Sequence, residues 1–131
     1  MDATLTLLIV DGHQGVREAL LCRLQHAPGI QAVAAVGSIE LAVRLAQELA
    51  PDTVLYDPKT LEGDAVEAIG RLAAGGRSVI VLTSSLDEGE ETALARAGAA
   101  AILLKGSGAA AVRAALLRVV AGHARAPRGR T

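Results

Sequence analysis

The sequence predicts an α/β domain, a doubly wound five-stranded parallel sheet with helices on both faces, and three observations predict it. Five short apolar runs alternate with segments of helical spacing, the pattern of repeated strand-helix units. The runs are apolar almost throughout rather than alternating, as strands buried on both faces must be. Four of them stop on a polar residue, at Asp11, Asp57, Thr83 and Lys105, and a doubly wound sheet would gather these at one edge.

The first run, residues 5–10, ends at Asp11-Gly12, an acid followed by a turn residue. Val16, Leu20, Leu21 and Leu24 then recur at helical spacing until Pro28-Gly29 breaks the pattern, and Cys22 among them is expected to fill core. Residues 30–36 make the second strand. Ser38 is placed to cap the next helix, with Glu40 in its first turn and Leu41, Leu45 and Leu49 as its buried stripe. The third strand organises the chain: Thr53-Val54-Leu55-Tyr56 delivers Asp57 to a carboxyl end, and Pro58, having no N–H to continue a ladder, stops it.

A loop over residues 59–63 leads to Asp64, an N-cap by type, and to a helix carrying Val66, Ile69 and Leu72 that Gly75-Gly76 ends. Residues 79–82 form the fourth strand, finishing at Thr83. Asp87, Glu88, Glu90 and Glu91 suit the N-terminus of the fourth helix, and Arg96 with Gly98 suits its end. Residues 102–104 form the fifth strand, finishing at Lys105. The last helix spans residues 109–121 with Val112, Leu116, Val119 and Val120 apolar and little polar surface, so a second subunit or an output domain is expected to cover part of it. Gly122 ends it, which gives one domain over residues 1–122 and a basic tail, or the start of a linker, over residues 123–131.

A chain of 131 residues and 13.3 kDa fits a single domain. Thirteen basic against fourteen acidic side chains leave a charge of −1, so no global electrostatic case exists for nucleic acid or a membrane surface as partner. The charge is nonetheless polarised, since every ionised side chain from Lys105 onward is basic: Arg113, Arg118, Arg125, Arg128 and Arg130 follow it. With no Trp, no Phe and only Tyr56, stacking on bases is excluded as a binding mode and the core must be aliphatic. A single cysteine forms no internal disulfide, and the start of the chain has neither a basic leader nor an apolar run of spanning length, so a cytoplasmic protein is expected.

Two carboxylates, a hydroxyl and an ammonium at one edge suit an acyl-phosphate site: a carboxylate nucleophile, a metal-binding acid, and donors for phosphoryl oxygens. The competing reading is that strand-end polar groups merely bond to loops. Their neighbourhoods bear on the choice. Leu8-Ile9-Val10-Asp11-Gly12-His13 with Val16-Arg17-Glu18-Ala19-Leu20, Pro51 through Asp57, Val81-Leu82-Thr83-Ser84, and Ala97 through Lys105 together resemble bacterial response-regulator receiver domains, most closely those of NarL/FixJ-type transcriptional regulators. Order, spacing and strand-end placement all agree over residues 5–122.

That resemblance implies a flavodoxin-like (βα)5 receiver fold and a signalling role rather than an enzyme's, beyond self-phosphorylation from a phosphodonor and slow dephosphorylation. It implies Asp57 as phosphoacceptor, Thr83 as the hydroxyl that senses the phosphoryl group, and Lys105 as its ammonium partner. Magnesium would be held by Asp11, Asp57 and the backbone carbonyl of Lys59. It further implies a histidine kinase as phosphodonor partner, and the apolar last helix leads to the expectation of a homodimer. Receivers of this type usually precede a helix-turn-helix output domain, which these residues do not include, so no direct nucleic-acid contact is expected.

Departures from the family pattern matter as much. The second acid of its acidic pair is Gly12 here, which removes both charge and a coordinating oxygen, so magnesium is expected to bind weakly or not at all. Glu62 and Asp64 are the candidates to replace it. The aromatic switch position is Ile102, and the loop after Asp57 reads Pro58-Lys59-Thr60-Leu61-Glu62-Gly63 without the usual Met-Pro-Gly. A second expectation therefore stands beside the first: a phosphorylation-independent pseudo-receiver that dimerises or binds a small ligand, its kinase lost. Gly106-Ser107-Gly108 superficially matches a dinucleotide fingerprint but follows the last strand with no second unit behind it, and His13, His26 and His123 show no metal-ligand pairing.

Overall fold

A computed structural model describes residues 4–125. Five strands, β1 (Leu5–Val10), β2 (Ile30–Val36), β3 (Thr53–Tyr56), β4 (Ser78–Thr83) and β5 (Ala99–Leu104), alternate with five helices. These are α1 (Gln14–Gln25), α2 (Ile39–Leu49), α3 (Ala65–Ala73), α4 (Glu88–Ala97) and α5 (Ala109–Arg125). All strand pairs are parallel, in the order β2-β1-β3-β4-β5. The chain order therefore reverses between β1 and β3, and the crevice outside their carboxyl ends is the switch point of the sheet.

Two apolar layers flank the sheet. Leu8, Val10, Val54, Tyr56, Val79 and Val81 pack against α2, α3 and α4, while Leu5, Leu7, Ile9, Leu55, Ile80 and Leu82 pack against α1 and α5. Alternating side chains thus feed opposite layers, which is why these strands are apolar at almost every position. The amino edge is locked by a reciprocal clasp: Asp52 Oδ2 accepts from both the N–H (2.9 Å) and the hydroxyl (3.0 Å) of Thr6, whose Oγ1 accepts from the Asp52 N–H at 2.9 Å. That clasp sets β1 against β3 in the register Leu7↔Thr53 to Val10↔Tyr56, so Asp11 and Asp57 leave their strands side by side.

The expected caps form. Ser38 Oγ accepts from the Leu41 N–H, Asp64 accepts from the Val66 N–H, and Asp87 forms a reciprocal capping box with Glu90. Other expectations are corrected. Cys22 is exposed, because it lies two residues from both Leu20 and Leu24 and so on the opposite face of α1, where Leu24 is the buried residue. In α2 the buried residues are Ala42 and Ala46, and Leu49 is 45% exposed, as is Val66 in α3. Small side chains face the sheet where the helix lies close to it. The strand expected over residues 102–104 begins at Ala99, since pairing with β4 overrides the poor strand preference of alanine. Helix α5 continues through Gly122 to Arg125, so Gly122 does not end it, and the tail beyond lies outside the described residues.

Candidate acidic pocket at the carboxyl edge

Three of the four strand-end residues meet. Asp11 and Asp57 follow β1 and β3 and are almost wholly buried, at 1% and 3% exposure. Lys105, in the one-turn 3₁₀ helix after β5, reaches across the edge so that its Nζ lies 2.7 Å from Asp11 Oδ2 and 2.5 Å from Asp57 Oδ2. Burial alone would pull the ammonium down, but its hydrogen bonds to Asp11 and Asp57 and their charges outweigh it and hold Lys105 above the usual lysine value. Two buried carboxylates are tolerable here because one cation lies between them and backbone amides take their other oxygens. The Lys59 N–H donates to Asp57 Oδ1 at 2.9 Å and the His13 N–H to Asp11 Oδ1 at 2.8 Å.

Thr83 is fully buried at the end of β4, and its register against β3 and β5 places it beyond Leu82, the neighbour of Asp57, and beside Leu104. Its Oγ1 has no hydrogen-bond partner among the described residues. An unbonded buried hydroxyl costs free energy, so a donor and acceptor stand ready at this edge for an incoming polar group. Tyr56, one residue before Asp57, is buried as well. Desolvation first, then the charges of Asp57 and Asp64, push its phenol up to about 12.

On the other side the pocket is closed by a residue that sequence reasoning missed. Asp57 opens a one-turn 3₁₀ helix, Pro58–Thr60, whose last residue turns back onto β1. Thr60 Oγ1 donates to the Asp57 carbonyl at 3.0 Å and accepts from the Gly12 N–H at 2.8 Å. Nothing in the spacing of the chain pairs position 60 with position 12; the one available signal was a glycine where an acid is usual. The Lys59 side chain turns outward, with Nζ 3.4 Å from both Ser85 Oγ and Glu90 Oε1, and so ties the turn to α4. Arg17 donates to the Asp11 carbonyl at 2.8 Å.

As a magnesium site this donor set fits badly. A hard divalent cation takes about six oxygens in tight geometry, whereas both carboxylates here are engaged by Lys105. Gly12 offers no side-chain oxygen, and among the described residues no group of three or more His, Cys, Asp or Glu is arranged to hold a metal. Nor do the two candidate substitutes step in: Asp64 Oδ1 is committed to the Val66 N–H at 2.9 Å, and Glu62 is exposed. His13 is likewise exposed and caps α1 without a side-chain hydrogen bond.

The chain is similar to known proteins over most of its length. The family model described as response regulator receiver domain matches residues 7–117. The transcriptional regulatory protein LiaR of Bacillus subtilis is 35% identical over 113 residues, covering 84% of this chain and 53% of that protein. Response regulator GacA of Pseudomonas viridiflava is 34% identical over 119 residues, covering 89% of this chain and 56% of that protein, so the chain spans about half the length of these relatives. Among solved structures, a two-component response regulator of the LuxR family from Aurantimonas sp. superposes with a TM-score of 0.84 at 26% identity, over 92% of this chain and 87% of that one. Receiver domains are generally non-enzymatic signalling modules that bind magnesium at their acidic pocket and interact with histidine kinases. No helix among the described residues is long and apolar enough to cross a membrane. The chain belongs to the response regulator receiver domains and is the receiver domain of a two-component response regulator, homologous to those of transcriptional regulators.

Proposed function

We propose that this receiver takes a phosphoryl group on Asp57 from a histidine kinase, at a pocket whose hold on magnesium is weak. The observation that carries the reading is the pairing of a buried carboxylate at the switch point with Lys105 Nζ at 2.5 Å, beside a buried hydroxyl on Thr83 that has no partner among the described residues. In the transfer an Asp57 oxygen attacks phosphorus, the bond from phosphorus to the donor's imidazole nitrogen breaks, and the imidazole takes up a proton. Lys105 supplies positive charge to the growing phosphoryl oxygens, and Thr83 donates its hydroxyl to one of them once they arrive. Magnesium, when bound in receivers, supplies further charge at the same oxygens; here Asp11, Asp57 and the carbonyl of Lys59 are the groups left to hold it. A receiver domain that closes with α5 and is followed by a basic tail or the start of a linker, a cytoplasmic setting, and a homodimer using the outward face of α5 complete the proposal. Ala110, Ala111 and Ala114 are exposed on that face.

One observation favours a second reading, a receiver that works without phosphorylation: Lys105 already bonds to both carboxylates, so its ammonium would have to leave one of them to serve an incoming phosphoryl group. Intact-mass analysis after incubation with a phosphoramidate and magnesium separates the two. A phosphoryl adduct on the native chain that is absent from Asp57→Asn is the expected result. No adduct at any magnesium concentration would leave the second reading in its place.

A further inference from the structure

We infer that Thr60 decides which cation this pocket accepts: its turn closes the Gly12 side against a divalent ion and leaves Lys105 as the resident cation. The inference rests on reading the Asp11 and Asp57 pocket as the receiver site. Two features of the turn carry it. Its hydroxyl is bonded at both ends, accepting from the Gly12 N–H at 2.8 Å and donating to the Asp57 carbonyl at 3.0 Å, so it staples the exits of β1 and β3 together. And its backbone occupies the space a side chain at position 12 needs. A Cβ built on Gly12 overlaps the Thr60 carbonyl oxygen, comes to 2.9 Å from the carbonyl carbon and meets Leu61 Cδ2 at 3.3 Å.

Backbone atoms anchored at both ends yield only if the turn moves as a unit. An acid at position 12 and Thr60 in this seat therefore exclude one another. The missing acid and the seated turn are two halves of one change, and their joint effect is electrostatic. With a third carboxylate the two acids and Lys105 would leave a net charge of −2 for a dication to cancel, whereas with Gly12 they leave −1, which a dication added beside Lys105 would overshoot.

It follows that restoring the acid alone does not restore the metal site. The experiment compares the native chain with Gly12→Asp, Thr60→Ala and the double variant, reading magnesium affinity by calorimetry and the melting temperature in chelator. Gly12→Asp should melt lower than native in chelator and gain no more than about threefold in magnesium affinity, whereas the double variant should recover melting temperature and gain at least about tenfold. An equal gain in the single and double variants, or none in the double, overturns the inference. Should Gly12→Asp fail to fold, Gly12→Ala carries the same overlap without charge: a lowered melting temperature partly recovered by Thr60→Ala supports the seat, and an unchanged one overturns it. None of these readouts involves phosphorylation of Asp57, so failure of the phosphodonor experiment and failure of this one are told apart.

Discussion

The two sides of the acidic pocket are built on opposite principles. On the β4 side, Thr83 presents a fully buried hydroxyl with no partner among the described residues, a cost that only an arriving polar group can offset. On the β1 side the Thr60 hydroxyl has both its partners, accepting from the Gly12 N–H and donating to the Asp57 carbonyl, and the Arg17 guanidinium donates to the Asp11 carbonyl. Between them Lys105 bonds to both acids. On the function proposed above, the difference teaches that a site could keep a half that reads a phosphoryl group while filling the half that holds a metal, because the two halves are carried by different strands.

Lys105 is common to both sides, and removing it is the strongest way to break the comparison. Lys105→Met keeps most of the stem but leaves two buried carboxylates side by side, so it should cost about 3 kcal/mol of unfolding free energy in denaturant titrations. Adding Asp57→Asn should return part of that loss. A cost below about 1 kcal/mol would mean that the acids are solvated in solution and that neither side is a dry pocket.

Alkaline titration sharpens the comparison by separating the pocket's charge from the core beneath it. Tyr56 has its folded-state phenol raised from 10.0 to about 12, so its contribution is fully present below pH 10 and is lost as pH rises towards 12. Two pH units correspond to about 2 to 3 kcal/mol. Lys105 acts in the same direction, its folded value being raised above 10.5, so its stabilisation also fades only in strongly alkaline solution. Stability followed by denaturation against pH should thus fall steeply above pH 10, and Tyr56→Phe should flatten the first part of that fall. A fall above pH 10 that is the same in the native chain and in Tyr56→Phe would place the ring in water.

Much of this arrangement was legible beforehand, and the part that was not has a physical reason. Asp11, Asp57 and Lys105 could be placed because a strand's apolar run ends where its side chains leave the sheet, and parallel order then brings the ends together. The fold class followed from the same runs. Cys22 and Leu49 were misplaced because hydrophobic residues crowd both faces of α1 and α2, and composition does not set the phase of a helix whose true contacts are Leu24, or Ala42 and Ala46. Thr60 was invisible for a different reason: its partners are a backbone amide and a backbone carbonyl, which every residue possesses. The glycine at position 12 marked the loss of an acid, but only the folded backbone shows what fills the space.

Thr60→Val and Thr83→Val apply one chemical change, hydroxyl to methyl, to the two sides. At position 60 it strips partners from the Gly12 amide and the Asp57 carbonyl and should cost about 1 to 2 kcal/mol. At position 83 it removes a hydroxyl that bonds to nothing among the described residues, so the unmodified domain should be unharmed or more stable by about 1 kcal/mol. Thr53, whose buried Oγ1 likewise has no partner among the described residues and lies at the opposite end of the sheet, is the control: Thr53→Val should give the same small gain. What distinguishes position 83 is the modified state, where a valine has no proton to give a phosphoryl oxygen, so any stabilisation that phosphorylation brings should shrink in Thr83→Val and persist in Thr53→Val. If Thr83→Val were instead to lose as much as Thr60→Val in the unmodified chain, its hydroxyl would already be bonded in solution. Both sides of the pocket would then be satisfied, and the contrast between them would disappear.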